Sequence, residues 1–237
     1  METSDEPRTL DANQRRVLGA LIEKAKTTPD AYPLSLNALR TACNQKSNRF
    51  PQTDFSEDQV DQIADDLRTK GALSRVQGDS RVERYRHLAY DWFGVDKVEL
   101  AVLAELLLRG AQTVGDLRGR AARMEPIKGV AELTPVLRSL CEKGLVAYLT
   151  PQGRGAVVTH NYYSEGELAR VRRDLGISAD AAPAGDPNPQ PSSAESTGEV
   201  ESNQPVATDQ VAALREEMRI AIEELRSEIQ QIKQRIG

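Results

Sequence analysis

The sequence predicts an α+β fold: tandem winged helix-turn-helix domains, then a disordered linker and a C-terminal coiled-coil helix. Three observations predict it. Three amphipathic segments followed by a β-hairpin pattern occur twice in succession. A Pro-, Ala- and Ser-rich acidic stretch comes next, with almost no large apolar residue. The last thirty or so residues carry apolar positions at heptad spacing.

The first domain spans 10–90, after a flexible N-terminus at 1–9. Asp11 with Gln14 three residues on is a capping box, and Val17, Leu18, Leu21, Ile22 and Ala25 form the stripe of the first helix. Thr28-Pro29-Asp30 stops it. Ser35 caps a second helix with Leu36, Leu39 and Ala42 inward, and a polar loop containing Pro51 runs from Asn44 to Phe55. Ser56 with Gln59 caps the third helix, whose stripe is Val60, Ile63, Ala64 and Leu67, and Gly71 supplies its left-handed terminus. Ala72 to Val76 and Val82 to His87 then form a hairpin around a Gly/Asp turn.

The second domain, 91–165, repeats this order. Val98, Val102, Leu103, Leu106 and Leu107 mark its first helix, and Thr113 opens a second helix running to Met124. Val130, Leu133, Val136, Leu137 and Leu140 mark the third, with Pro135 expected near its start, where a missing N–H costs little. Leu145 to Leu149 and Val157 to Tyr162 are its strands. Leu67 to Leu73 and Leu140 to Val146 superpose as helix ends leading into strands.

Residues 166–205 read as a largely disordered linker, and 206–237 as the coiled-coil helix. Val211, Met218, Leu225 and Ile232 occupy one heptad position and Ile222, Ile229 and Ile236 the other, so self-association through these residues is expected. Arg215 takes the first site of the second set and weakens that end. Glu228 and Lys233 have the spacing of an interchain pair.

The net charge of −5 lies in the tail, since 1–90 and 91–165 each balance to zero. The basic excess usual for a nucleic-acid-binding domain is therefore absent. No apolar run reaches the ~18 residues of a membrane span, and Val98 to Leu108 is interrupted by Glu99 and Glu105. The polar, acidic N-terminus does not read as a signal peptide, and a cytoplasmic location is expected.

Four stretches, Tyr32 to Asn37, Ala42 to Arg49, Leu107 to Thr113 and Leu117 to Met124, are long and specific. They resemble the signature segments of the YceH family of uncharacterised bacterial proteins. The resemblance covers about Leu10 to Tyr163. It implies a double winged-helix fold and the bacterial cytoplasm, and it brings no established activity. The linker and coiled coil lie beyond it.

No catalytic residue, cofactor or metal site is expected. His87 and His160 sit at equivalent strand ends and read as partly buried structural residues, and Cys43 and Cys141 as inert thiols. Gly153-Arg154-Gly155 lacks the strand–helix context and the Lys-Ser/Thr of a phosphate loop.

Two readings follow. One is a DNA-binding regulator that uses its wings and the 44–49 loop, through Asn44, Lys46, Asn48, Arg49, Arg75, Arg81 and Arg84. The other is a protein-interaction scaffold that presents an acidic third helix, where Asp58, Asp61, Asp65 and Asp66 are expected to face outward.

Overall fold

Most α-helices among the described residues begin where a short polar side chain can accept hydrogen bonds from its own first-turn amides; the two that follow Leu88 and Gly129 do not. The computed structural model describes residues 9–77 and 83–177. In it, α1 (Ala12–Thr27) starts at Asp11, whose carboxylate takes the Asn13 and Gln14 amides at 2.8 Å while Gln14 returns a bond to the Asp11 amide. A single 3-10 turn, Pro29–Ala31, leads to β1 (Leu34–Ser35), and Ser35 caps α2 (Leu36–Cys43). The box of Ser56 and Gln59 opens α3 (Glu57–Thr69), which is followed by β2 (Leu73–Gln77), β3 (Glu83–His87) and the short α4 (Ala89–Phe93).

The second half runs in the same order. Asp96 and Glu99 box α5 (Lys97–Arg109), β4 (Gln112–Thr113) follows, and Thr113 caps α6 (Val114–Ala121). Then come α7 (Val130–Glu142), β5 (Val146–Tyr148), β6 (Val157–His160) and α8 (Glu165–Asp174).

The repeat holds at the level of individual hydrogen bonds. The two three-stranded antiparallel sheets have matching orders, β1-β3-β2 and β4-β6-β5. Gly71 and Gly144 take the left-handed conformation after α3 and α7, at φ +76° and +69°. The Ala72 and Leu145 amides reach back to the Leu67 and Leu140 carbonyls, each at 2.9 Å, and the carbonyls of Ala72 and Leu145 accept from Leu88 and Asn161. Leu73 pairs with His87 as Val146 pairs with His160.

The two first helices lie against each other antiparallel. Lys26 near the end of α1 donates to the Lys97 carbonyl at the start of α5, while Gly19 faces Leu107 and Leu108 near the end of α5. An apolar stripe is expected for α5; instead every residue from Glu99 to Leu108 is buried, because both halves pack on it. One contiguous core runs from Leu10 to Tyr162. At about 1.5–3 kcal/mol for each large side chain fully removed from water, residues such as Leu18, Leu103 and Leu106 are its main support.

Three expectations need correction. The second helix of the second half ends at Ala121, not Met124: Met124 closes a turn onto the Ala121 carbonyl and is buried there. Pro135 is the sixth residue of α7, past the first turn, so the Ala131 carbonyl loses its i+4 donor. The ordered chain also extends beyond 165. Ser164 and Glu167 box α8, and Arg15 pairs with Glu167 at 2.6 Å, tying this helix to α1.

Among the described residues no helix is long and apolar enough to cross a membrane. The N-terminus through residue 8, the hairpin tip with Arg81, the rest of the linker and the heptad segment 206–237 lie outside the described residues.

Candidate nucleic-acid interface

The loop from Asn44 to Phe55 is built by its polar side chains. The Asn44 amide donates to the Phe55 carbonyl and accepts from the Phe55 N–H, both at 2.8 Å, standing in for a strand partner across the loop. The Thr53 hydroxyl donates to the Cys43 carbonyl, and the Gln52 amide to that of Lys46. Asn48 sits at φ +58°, where Asn is tolerated, and its side chain accepts from Arg109.

Arg49, one of the candidate contacts, is withdrawn from the surface. Its side chain is 0% exposed. The guanidinium donates twice to the Ala42 carbonyl at the end of α2, once to the Asn48 carbonyl, and pairs with the buried Glu23. A helix end short of donors and a buried carboxylate consume it, so it is removed from the candidate contacts. Arg16, also buried, donates to the Pro51 carbonyl; burial first, then the neighbouring Arg49 charge, lowers its pKa to about 10.

The arginines on the first hairpin are committed as well. Arg75 pairs with Asp61 at 2.7 Å, Asp65 at 3.1 Å and Glu83 at 3.2 Å, and lies over the Tyr85 ring. Arg84 donates to the Pro33 carbonyl at 2.9 Å and is half-buried. These contacts also change the expected acidic face. Asp58 and Asp66 are exposed, but Asp61 and Asp65 turn toward the hairpin and share Arg75. Of the expected contact residues inside the described chain, Lys46 alone is exposed and carries no ion pair there.

Lys46 lines a groove of about 860 Å³ along the outer face of α2. Lys24, Arg40, Ser35, Asn37, Thr41, Asn44 and Gln45 share its lining, and no carboxylate contributes. The side chains are held in place: Lys24 donates to Gln45 at 3.1 Å and Arg40 to Asn37 at 3.1 Å, with Glu57 a distant 3.8 Å partner of Arg40. Arg84 sits opposite Ser35 in the β1–β3 register, but its guanidinium is held on the Pro33 carbonyl and does not line the groove. Sequence reasoning found Lys46 and missed Lys24 and Arg40. These three lie on different elements, and only the packing of α1 against α2 brings them to one groove.

Behind the groove the two halves are bridged by charge. Arg123 pairs with Glu23 of α1 and with Glu105 of α5 at 3.0 Å, and Arg109 pairs with Glu105 at 3.3 Å. Burial alone would raise the Glu23 carboxyl, but the Arg49 hydrogen bond and charge, with Arg123, hold it below its ordinary value. At Glu105 burial prevails and the pKa is raised, with Arg123 and Arg109 pulling the other way. Arg120 donates to Gln112. Arg120 of α6 and Arg123 of the following turn are thus committed within the protein.

The histidines match as a pair. His87 Nδ1 accepts from the Ala89 amide and His160 Nδ1 from the Tyr162 amide, each two residues on. Burial, then Lys26 and Arg86, lowers His87 to about 4; burial, then Arg15, lowers His160 to about 3. Both are neutral turn-closing acceptors at pH 7. Burial pushes the Cys43 thiol up to about 12.

Residues 10–154 match the family model described as "Protein of unknown function, DUF480". The chain is 52% identical over 164 residues to a UPF0502 protein of Rhodopirellula baltica, covering 69% of each chain. It is 44% identical over 176 residues to a UPF0502 protein of Solibacter usitatus, 74% of this chain and 82% of that one. A UPF0502 protein of Citrifermentans bemidjiense is 49% identical over 146 residues, 61% of this chain and 68% of that one.

Proposed function

The chain belongs to the UPF0502 family, the YceH-type proteins matched by the DUF480 model, and on that footing we propose that it is a non-catalytic tandem winged-helix protein that holds nucleic acid by its phosphates. The groove on α2 carries this reading: Lys24, Arg40 and Lys46 converge on it with amides and hydroxyls and no carboxylate. Phosphate contacts of this kind fix a protein on nucleic acid without reading sequence. The winged-helix assignment is supported by the repeated order of three helices and a hairpin with a third, two-residue strand on each sheet. The non-catalytic assignment is supported by histidines and a thiol already engaged in packing. The heptads of 206–237 supply self-association.

Binding of labelled random-sequence DNA to the full chain, followed across salt, tests this. The expected Kd is tighter than roughly 10⁻⁴ M at physiological salt, and anything weaker removes the reading. Replacing Lys24, Arg40 and Lys46 together by Ala should reduce the salt slope by about 2 to 3.

A second reading, a protein-interaction scaffold, is favoured by α3. Its first turn presents Glu57 and Asp58, and Asp66 is exposed further along, which opposes entry of this helix into a DNA groove. Retention of basic polypeptides by the wild type and their loss with Asp58→Asn/Asp66→Asn, together with absent DNA binding, would select it.

A further inference from the structure

The reading above leaves open what form of nucleic acid the groove takes. Resting on it, we infer that the ligand is a single strand whose backbone lies along the α2 groove and one of whose bases stacks on Phe50. Two observations that do not depend on each other carry this.

The first is Phe50 itself. It is 71% exposed, the most exposed of the large apolar side chains in the described residues. It is on the same loop as Lys46, four residues on, so the two Cα atoms are at most about 14 Å apart. The backbone around it is anchored on every side. The Phe50 amide donates to the Leu108 carbonyl at 3.0 Å, the Pro51 carbonyl accepts from Arg16, and the Arg49 side chain is buried in the protein. An aromatic face held outward by the anchored loop that also carries Lys46 into a cationic groove is the pairing used for single strands: the groove tracks the backbone, and the ring accepts any base. A paired base keeps its faces inside the stack and cannot reach such a ring.

The second is what borders the groove. Arg40 is 3.8 Å from Glu57, which marks where the groove meets the first turn of α3. Glu57 and Asp58 stand there. A duplex seated by one backbone in the groove carries its second backbone across a groove width of about 6 to 12 Å, bringing like charges toward these carboxylates. A single strand meets Glu57 only where Arg40 offsets it and brings no second backbone toward Asp58.

The test uses the full chain with a labelled fifteen-nucleotide oligo-dT and a duplex of equal length. The expected result is at least tenfold tighter binding of oligo-dT. Phe50→Ala should weaken oligo-dT binding about 5- to 100-fold with an unchanged salt slope, because a stacking contact releases no counterions. Lys46→Ala should instead lower the slope by about 0.7. Phe50→Trp should retain binding and show indole fluorescence quenched by oligo-dT. Phe50 is exposed, so these variants should melt as the wild type does.

Duplex binding as tight as oligo-dT, or a neutral Phe50→Ala, overturns the single-strand inference and leaves the phosphate groove standing. Binding of poly-glutamate with no binding of either oligonucleotide overturns both and makes the groove a site for acidic polypeptide. If no polyanion binds, both likewise fall.

Discussion

Glu23 and Arg49 are both fully buried, and each is the other's main compensation for leaving water. Removing one partner of such a pair strands the other, which costs about 3–5 kcal/mol. Arg49→Ala should therefore lower stability by about that amount in urea unfolding, whereas Lys46→Ala, on the open surface, should stay within about 0.5 kcal/mol. Near-equal effects would mean that Arg49 is not the buried clamp described above. The contrast also explains what could be read from the residues alone. Lys46 and Arg49 look alike in sequence, three positions apart in one polar loop. Their fates differ because the last carbonyls of α2 and the Glu23 carboxylate lie within reach of one and not the other, a fact of tertiary packing.

The histidines yield a pH prediction at the same scale. Their folded pKa values, about 4 and about 3, lie below the ordinary 6.5, so the unfolded chain takes up protons first as pH falls. The stability they permit is complete above about pH 6.5 and is lost toward each folded value, at about 1.4 kcal/mol per pH unit for each histidine. Urea midpoints at pH 7 and pH 5 would show the loss. His87→Asn, which keeps an acceptor for the Ala89 amide, should flatten the profile by about one histidine's share. An unchanged profile would show that folding does not shift His87 from its ordinary pKa.

At the scale of elements, local signals were legible and partnered ones were not. Asp11, Ser35, Ser56 and Thr113 cap helices where the sequence alone puts them, because a cap needs only its own next three residues. The two-residue strands β1 and β4 exist only through their pairing with β3 and β6, so no local pattern announces them. The burial of α5 on all sides likewise comes from the second half folding over α1. Gly19 is a point of close approach between α1 and α5. A Cβ there would stand 3.0 Å from the Leu108 side chain and 3.3 Å from Leu107, both buried and unable to yield. Gly19→Ala should thus cost about 1–3 kcal/mol despite the roughly 1 kcal/mol that alanine gains in a helix. A stabilised variant would mean that the helices cross more loosely than the packing implies.

At the scale of the whole molecule, charge argues for more than one copy acting together. Under the proposed function, a single α2 groove on these electrically balanced repeats would offer only about three phosphate contacts and a correspondingly modest, salt-sensitive affinity. A heptad segment that joins two copies turns the second contact into an intramolecular one, and avidity can then exceed the single-site affinity by orders of magnitude. Removing residues 206–237 should therefore reduce the mass in light scattering to that of one chain. It should also weaken binding to an oligonucleotide long enough to span two grooves by at least tenfold. Binding to a fragment that fills only one groove should change little, since the groove residues lie on α1, α2 and the loop after it, far from the heptads in sequence. A mass unaffected by the truncation would remove self-association through Val211, Met218, Ile222, Leu225, Ile229, Ile232 and Ile236. An equal loss on short and long oligonucleotides would place the C-terminal segment in the contact itself, making the linker a means of delivering a second binding element to the same strand.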